Sequence, residues 1–284
     1  MIFVRLKGGL GNQMFQYAAA RQLSVMQGVP LKLDISLLQS QLADRTKRNF
    51  ELDKFNIHAE IANLNEIAEL KKKTRKNFFQ LTQIRERYFG FIKTFLKTGN
   101  TYYFNGYWQS EKYFKNISEI IRNEFVFKKP LVDEYFISLQ HQIAASNSVS
   151  VHFRRGDYVS DKKTNQYHGT CSIEYYQKAV KLLTERVKNP QLFVFSDDIL
   201  WVKSHFHTEF PVVFVEKSND TEHSDFRLMS LCKHNVIANS SYSWWAAWLN
   251  SNEDKIVIAP KQWYTNKRKQ LHSGDRIPKR WLKI

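Results

Sequence analysis

Short apolar runs alternate along the chain with amphipathic stretches, and several of the runs end in a glycine-rich or charged turn. Residues 2–6 form the first run, residues 8–11 supply a Gly-Gly-Leu-Gly turn, and residues 12–27 follow with apolar side chains at helical spacing. Residues 31–35 form a second apolar run. A strand, a turn, a helix and a second strand in this order predict a βαβ unit, and therefore a parallel sheet covered by helices.

The same alternation returns in the second half of the chain. Strands are predicted at residues 148–153, 191–195, 212–215, 235–238 and 255–259, and helices at 175–187, 226–232 and 243–249. We therefore expect an α/β chain of two Rossmann-like domains, residues 1–147 and 148–284, with ligands at the carboxyl ends of the strands. Residues 64–96 are basic and rich in helix formers, and we expect one or two helices appended to the first sheet.

Charge is the most unusual feature of the composition. The chain carries 43 basic and 27 acidic residues, a formal net charge of +16, and its 43% hydrophobic content excludes a disordered chain. Residues 67–97 hold nine basic and two acidic residues, and residues 261–284 hold eight basic residues and one acidic residue. Two segments thus carry nearly all of the excess, which favours phosphates, nucleic acid or an acidic membrane face as partners.

The cysteine content and the apolar runs predict the compartment. Two cysteines, Cys171 and Cys232, are too few for a disulfide framework and lack metal-type spacing. The apolar run at the start is too short for a signal peptide, and no run approaches the ~20 residues of a membrane span. We expect a cytoplasmic protein.

The glycine turn at residues 8–11 only partly matches a dinucleotide-binding motif. If Gly9 and Gly11 are the first two glycines of G-x-G-x-x-G, Met14 stands where the third should be. The turn instead offers backbone N–H groups at a helix N-terminus, with Asn12 and Gln13 as amide donors, which suits an anion or a sugar hydroxyl. The alternative is a tight turn in which Asn12 caps the helix.

Two arginines follow the predicted strand at residues 148–153. Arginine forks match phosphate oxygens, so Arg154 and Arg155 suggest a pyrophosphate clamp. Strand alternation places His152 and Arg154 on one face and Arg155 on the other, so we expect one arginine to meet ligand and the other to pair internally, with Asp157. The alternative is a purely structural salt-bridge cluster.

Two carboxylates, Asp197 and Asp198, follow the next predicted strand. A carboxylate in this place can accept the N–H groups of a guanine base, although an N-cap pair opening the next helix is an equal alternative. The sequence contains no Asp-x-Asp, the pattern that holds a divalent metal on a sugar nucleotide. We therefore expect no metal site and no cofactor.

Residues 239–245 lead from a buried strand into a helix and carry more hydroxyl groups than capping requires. Asn239, Ser240, Ser241 and Ser243 would converge at the helix N-terminus, where they suit a phosphate. The tryptophans that follow, Trp244, Trp245 and Trp248, are expected to be core anchors rather than a sugar platform.

In this order, the motifs resemble those of the bacterial α-1,2-fucosyltransferases of glycosyltransferase family 11. The resemblance is carried by residues 8–17, 50–52, 106–110, 152–158, 195–198, 228–232 and 239–245. It implies a GT-B fold, in which two Rossmann-like domains face each other across a cleft. It also implies inverting, metal-independent transfer of L-fucose from GDP-L-fucose to the 2-hydroxyl of a terminal galactose, in O-antigen or surface glycan synthesis.

The resemblance also implies roles for particular residues. Arg154 would hold the β-phosphate, and His152 and Asp197 would recognise guanosine. The diphosphate would be lined by Ser240, Ser241 and Ser243, and Asn239 would belong to the same GDP-fucose site. In the glycine turn of Gly9 and Gly11, Asn12 would contact the donor fucose or the reacting hydroxyl, which makes the first domain the acceptor side. The base that takes the acceptor proton is not identified, and Asp157 and His168 are the candidates.

Three other expectations concern partners. The basic segments suggest docking on the anionic cytoplasmic leaflet, where a lipid-linked acceptor would lie. A nucleic-acid-binding protein would also be basic and aromatic, but no nucleic-acid motif is recognisable, and we expect no nucleic-acid partner. A transferase with another acceptor or linkage, such as a protein or a chitooligosaccharide fucosyltransferase, is the nearer alternative.

Overall fold

The computed structural model describes residues 1–40, 48–76, 81–86, 101–156, 159, 161, 165–166, 168–216, 223–271 and 273–284. The chain forms two compact units, Met1–Lys129 (unit 1) and Pro130–Ile284 (unit 2). No helix within the described ranges combines the length and the hydrophobicity that a bilayer span requires.

Unit 1 is built on a parallel sheet. Its strands are β1 (Ile2–Arg5), β2 (Leu31–Asp34), β3 (Glu60–Ile61), β4 (Leu81–Arg85) and β5 (Thr101–Asn105), in the order β3-β2-β1-β5-β4. Its helices are α1 (Leu10–Gln27), α2 (Ser36–Gln39), α3 (Leu64–Lys76) and α4 (Ser118–Glu124), with short 3-10 turns at Leu52–Lys54, Glu111–Tyr113 and Lys115–Ile117. Helix α1 ends at Gly28, whose φ of 62° is the left-handed geometry that glycine accepts without strain.

Unit 2 is built on a second parallel sheet. Its strands are β6 (Asn147–Phe153), β7 (Pro190–Ser196), β8 (Val212–Phe214), β9 (His234–Val236), β10 (Val257–Ala259) and β11 (Leu282–Lys283), in the order β11-β10-β9-β6-β7-β8. Its helices are α5 (Glu134–Ala145), α6 (Ile173–Thr184), α7 (Ile199–His205), α8 (Ser224–Leu231), α9 (Ser241–Leu249) and α10 (Lys267–Leu271). The α/β class and the two Rossmann-like units that the GT-B resemblance implies are thus confirmed.

The core of unit 2 explains why these segments fold as they do. Strands β6 and β7 are buried almost throughout, and helix α6 places Tyr176, Ala179, Val180 and Leu183 against them at helical spacing. The three tryptophans of α9 are at most 2% exposed; Trp248 stacks with Trp244 and packs edge-to-face against Trp245. They are core anchors, as predicted.

The structure differs from the sequence-based expectations in two places. The chain divides near residue 129 rather than at 147, because α5 packs against α8 and β6 and so belongs to unit 2. The basic segment 64–96, expected to be helical, also supplies β4, which pairs in parallel with β5. A short strand that carries Arg85 at its end gives little apolar signal.

A buried polar network joins α1 to α4 in unit 1. The Tyr17 hydroxyl donates to Glu124 Oε2 at 2.5 Å, and Arg21 Nη2 donates to Glu124 Oε1 at 2.8 Å. The backbone N–H of His58 donates to the Tyr17 oxygen at 2.9 Å. Burial, with the Glu124 carboxylate alongside, raises the pKa of Tyr17 well above its ordinary value, so the phenol stays protonated.

We expect Glu124→Ala to lower the free energy of unfolding by about 3 kcal/mol, because it leaves a partly buried guanidinium and a buried hydroxyl without their acceptor. Urea denaturation measures this loss. Glu119→Ala, on the exposed face of the same helix, is the matched control and should change stability by less than about 0.5 kcal/mol. Equal effects of the two substitutions would contradict a structural role for the network.

Candidate functional site

The carboxyl ends of β6 and β7 bring the predicted charged residues together. The two strands pair in parallel, with His152 opposite Phe195 and Phe153 opposite Ser196. The residues that follow, Arg154 and Asp197, therefore emerge side by side at one edge of the sheet. This edge is where ligands bind in open α/β sheets.

Arg154 and Asp197, two of the predicted ligand contacts, bond to each other. Arg154 Nη1 lies 2.6 Å from Asp197 Oδ2, and the backbone N–H of Arg155 donates to Oδ1 at 2.8 Å. A Cβ atom on Gly156 would lie 2.4 Å from Asp197 Oδ2, so only glycine allows this approach. Asp197 therefore fixes the direction of the Arg154 guanidinium, which remains about one quarter exposed.

Arg155 also pairs within the protein, and the partner that the structure describes is Asp198. Its Nε lies 3.2 Å from Asp198 Oδ2, and its guanidinium stacks 3.3 Å above the centre of the Trp201 ring. Asp198 also caps α7 by accepting from the backbone N–H of Trp201 at 3.4 Å. Asp157, the expected partner and a candidate base, lies outside the described residues.

His152 is buried beside this cluster and is neutral. Its side chain is only 6% exposed, and within the described part of the chain its Nδ1 has no hydrogen-bond partner. Burial lowers the pKa of His152 to about 4; Asp197 opposes this shift and Arg154 adds to it. A buried, neutral imidazole with an unused nitrogen is suited to bind a polar ligand atom.

The N-terminus of α9 reaches the same edge of the sheet, because β9 lies parallel to β6. Ser240 caps the helix by accepting from the N–H of Tyr242 at 3.3 Å, and the buried Ser243 hydroxyl donates to the Ser240 carbonyl at 3.5 Å. Ser241 is half-buried. The Tyr242 ring lies 6.1 Å from the His152 ring, so the helix terminus adjoins the β6 cluster.

Asn239 holds the surrounding loops together, and its contact with a diphosphate stays a prediction. Its Nδ2 donates to the carbonyls of His168 and Gly169, both at 3.1 Å, and to that of Trp263 at 3.3 Å. The side chain is 2% exposed. Asn239 thus positions the loop of His168, the second candidate base, whose ring lies 5.2 Å from that of Tyr264.

In unit 1, the predicted glycine turn is formed at the carboxyl end of β1. Gly8 has a φ of 78°, Gly9 rather than Asn12 is the N-cap of α1, and Gly11 is buried in its first turn. Asn12 Oδ1 accepts from Gln109 Nε2 at 2.5 Å, which fixes the orientation of the Asn12 amide. Gln109 belongs to the 106–110 motif, to which the sequence assigned no role.

Two glutamines of α1 stabilise this turn by hydrogen bonds to the backbone. Gln16 pairs with the backbone of Lys7 on both sides, accepting from its N–H at 2.9 Å and donating to its carbonyl at 3.1 Å. Gln13 donates to the carbonyls of Gly8 and Asn49 and accepts from the N–H of Glu51. The two residues are fully buried, so their amides serve the backbone rather than a ligand. In the sequence, two glutamines three residues apart beside a glycine turn were the only signal of this bonding to the backbone.

The arrangement in unit 2 is suited to an anion joined to a flat polar group. A fixed guanidinium and a helix N-terminus attract negative charge, and the neutral imidazole beside them can hydrogen-bond to a base. The described residues contain no cluster of three or more His, Cys, Asp and Glu side chains that could hold a metal ion.

Comparison with known proteins gives consistent results. A profile described as Glycosyl transferase family 11 matches residues 1–284. The chain is 36% identical to an alpha-1,2-colitosyltransferase of Escherichia coli, covering 100% of this chain and 99% of that protein. It is 34% identical to the O-antigen biosynthesis glycosyltransferase WbnK of Escherichia coli (95% and 97% covered). It is 26% identical to the galactoside 2-alpha-L-fucosyltransferase Sec1 of Mus musculus (91% and 67% covered).

We expect the His152 imidazole to stay neutral well below its ordinary pKa of 6.5 and to protonate only near pH 4. The unfolded chain binds this proton near pH 6.5, so His152 lowers the free energy of unfolding as the pH falls from 6.5 towards 4. NMR titration of the imidazole C–H resonance measures the pKa, with His152→Gln to assign it. A midpoint near 6.5 would contradict the buried, neutral imidazole.

Proposed function

The chain belongs to glycosyl transferase family 11, and we propose that it transfers L-fucose from GDP-L-fucose to the 2-hydroxyl of a terminal galactose. The linkage formed is α-1,2, the anomeric centre is inverted, and no metal ion is needed. The product is part of an O-antigen or related surface glycan. The relatives that act on O-antigen and on galactosides support this choice.

The observation that carries the proposal is the fixed Arg154 guanidinium beside the N-terminus of α9. We assign Arg154 to the β-phosphate, and the terminus with Ser240, Ser241 and Ser243 to the rest of the diphosphate. We assign the recognition of guanosine to His152. Asp197 is assigned to orienting Arg154 rather than to guanine, because its Oδ2 is buried and both of its oxygens already have partners.

The chemistry follows from where charge develops. As the bond between C1 of fucose and the β-phosphate oxygen breaks, positive charge grows on the sugar and negative charge on GDP. Arg154 and the backbone N–H groups of α9 stabilise that negative charge without having to reorganise. The galactose 2-hydroxyl attacks C1 from the opposite face and loses its proton to a base.

On the acceptor side, we assign Asn12 to orienting the reacting hydroxyl or the fucose, with Gly9 and Gly11 bringing the backbone close. The hydrogen bond from Gln109 holds the Asn12 amide in one orientation, which supports this role. Asp157 and His168 are the candidate bases. The Asn239 bonds that fasten the His168 loop favour a fixed position for His168.

A second donor has direct support. The relative at 36% identity is a colitosyltransferase, and colitose is L-fucose without its 3-hydroxyl. A site that hydrogen-bonds the 3-hydroxyl would reject colitose, whereas an apolar site would accept it.

We also propose that the basic tail, residues 261–284, docks on a membrane through its exposed side chains. Lys261, Lys267, Lys279, Arg280 and Lys283 are exposed, and each is worth roughly 1 kcal/mol near an anionic leaflet. Arg276, which counts towards the tail charge, is buried and contributes nothing to such a surface. A leaflet of this kind would present a lipid-linked oligosaccharide acceptor.

We expect turnover of GDP-fucose with a terminal β-galactoside, retained in EDTA, and an α-1,2-linked product. An acceptor panel offered with GDP-fucose and with GDP-colitose, followed by linkage analysis, tests this directly. A higher kcat/KM with GDP-colitose than with GDP-fucose would show that the enzyme prefers to transfer colitose rather than fucose. Loss of activity on chelation would overturn the metal-independent mechanism.

We expect Arg154→Ala to reduce kcat on the order of 10²-fold, because one preorganised donor to the departing phosphate is lost. Steady-state kinetics measure this, with circular dichroism to verify the fold. Lys203→Ala, which removes an exposed cation from α7, is the control and should leave kcat unchanged. A near wild-type kcat for Arg154→Ala would remove the guanidinium from the mechanism.

A further inference from the structure

Arg276 is a buried cation for which the described part of the chain supplies no counter-ion. Its side chain is 1% exposed, and no Asp or Glu of the described residues lies within ion-pair distance. Nη1 donates to the Tyr264 hydroxyl at 2.5 Å, whereas Nε and Nη2 are buried without a hydrogen-bond partner. Two unused guanidinium donors in a protein interior are costly.

The other neighbours of Arg276 do not neutralise it. Its guanidinium lies 4.8 Å from the centre of the Tyr264 ring and 5.5 Å from that of Trp263. Burial, together with the positive charge of Arg276, lowers the pKa of Lys269, so a second cation is close. Aromatic faces compensate only a fraction of the desolvation cost of a buried charge. Among the residues that the structure describes, no anionic group compensates the charge of Arg276.

The position of Arg276 indicates which anion. Trp244, in the first turn of α9, donates its Nε1 to the Arg276 carbonyl at 2.8 Å, so the Arg276 backbone contacts the helix whose N-terminus is assigned to the diphosphate. Trp263 and Tyr264 follow β10, whose carboxyl end lies at the same edge of the sheet as those of β9 and β6. Asn239 bonds to the Trp263 carbonyl and so ties this segment to the same turn.

The segment that carries these side chains is held rigidly. Gln270 Oε1 accepts from the N–H groups of Trp263 and Tyr264, at 2.8 and 3.0 Å. The N–H of Arg276 donates to the Ser273 carbonyl at 3.0 Å. A fixed backbone keeps the cation and the phenol in place before any ligand arrives, which is the condition for preorganised stabilisation of charge.

We propose that Arg276 is a second cation of the diphosphate site, and that it acts as a positioning residue through Tyr264. Because the Tyr264 oxygen accepts from a guanidinium, its O–H becomes a stronger donor to an anion. The positive charge of Arg276 adds to that of the α9 terminus. This inference rests on the proposed function, since the anion it names is the diphosphate of GDP-fucose.

The proposed role of Arg276 can be tested, because a purely structural arginine would give a different result. Arg276→Met replaces an unpaired buried charge by an apolar side chain of similar volume, so the ligand-free Tm should be unchanged or higher. GDP affinity should fall on the order of tenfold, the equivalent of about one charge-assisted hydrogen bond, while GMP, which has no β-phosphate, should change little. Thermal unfolding and isothermal calorimetry with the two nucleotides measure these effects.

Matched variants separate the causes. Lys178→Met removes an exposed cation from α6 and should change neither Tm nor the ratio of GDP to GMP affinity. Tyr264→Phe removes only the hydroxyl and should lower that ratio in the same direction as Arg276→Met. Inorganic pyrophosphate and sulfate, titrated against wild type and Arg276→Met, show whether a diphosphate or any anion is recognised. We expect only the pyrophosphate affinity to fall.

The outcomes are distinct. If wild-type protein shows no preference for GDP over other nucleoside diphosphates, the proposed function fails. If the wild type prefers GDP and Arg276→Met keeps the same GDP to GMP ratio, this inference alone fails. A lower Tm with unchanged GDP affinity would make Arg276 structural. Should Arg276→Met not fold, Tyr264→Phe decides, and an unchanged ratio in that variant overturns the proposal.

Discussion

The parallel pairing of β6 with β7 is the constraint on which the site in unit 2 depends. Side chains alternate along each strand, so a shift of one residue in this register would turn Arg154 away from Asp197 and move Phe153 to the opposite face of the sheet. The pairing runs through seven residues of each strand, and both strands are buried almost throughout. Core packing therefore fixes the register, and the register fixes where the charged residues emerge.

Several positively charged side chains of unit 2 are grouped near helix α9. Arg154 pairs with Asp197, Arg155 pairs with Asp198 and stacks on Trp201, and the Arg276 carbonyl accepts from Trp244 in the first turn of the helix. His152, between them, remains uncharged. Each of these groups has a fixed direction before ligand binds, so little reorganisation is needed when a leaving group acquires charge.

The sequence predicted the strands that bear the site, because β1, β6 and β7 are apolar runs that end abruptly in glycine, arginine or aspartate. Short strands such as β4 and β11 escaped prediction, since two to five residues carry too little periodicity. Contacts between distant segments also escaped it. Spacing cannot show that Arg155 pairs with Asp198, that Asn239 fastens the His168 loop, or that no acid of the described residues pairs with Arg276.

The strand order of unit 2 has a consequence for synthesis on the ribosome. Strand β6 is made first and lies inside the sheet, and later strands are added on both of its sides, with β11 last at one edge. Residue 284 bonds to Ala259 and Lys261 beside that edge. Unit 1 can fold while translation continues, whereas β6 in unit 2 keeps an unpaired edge until its two neighbours, β7 and β9, have been made. That interval is when the nascent chain most needs protection from aggregation.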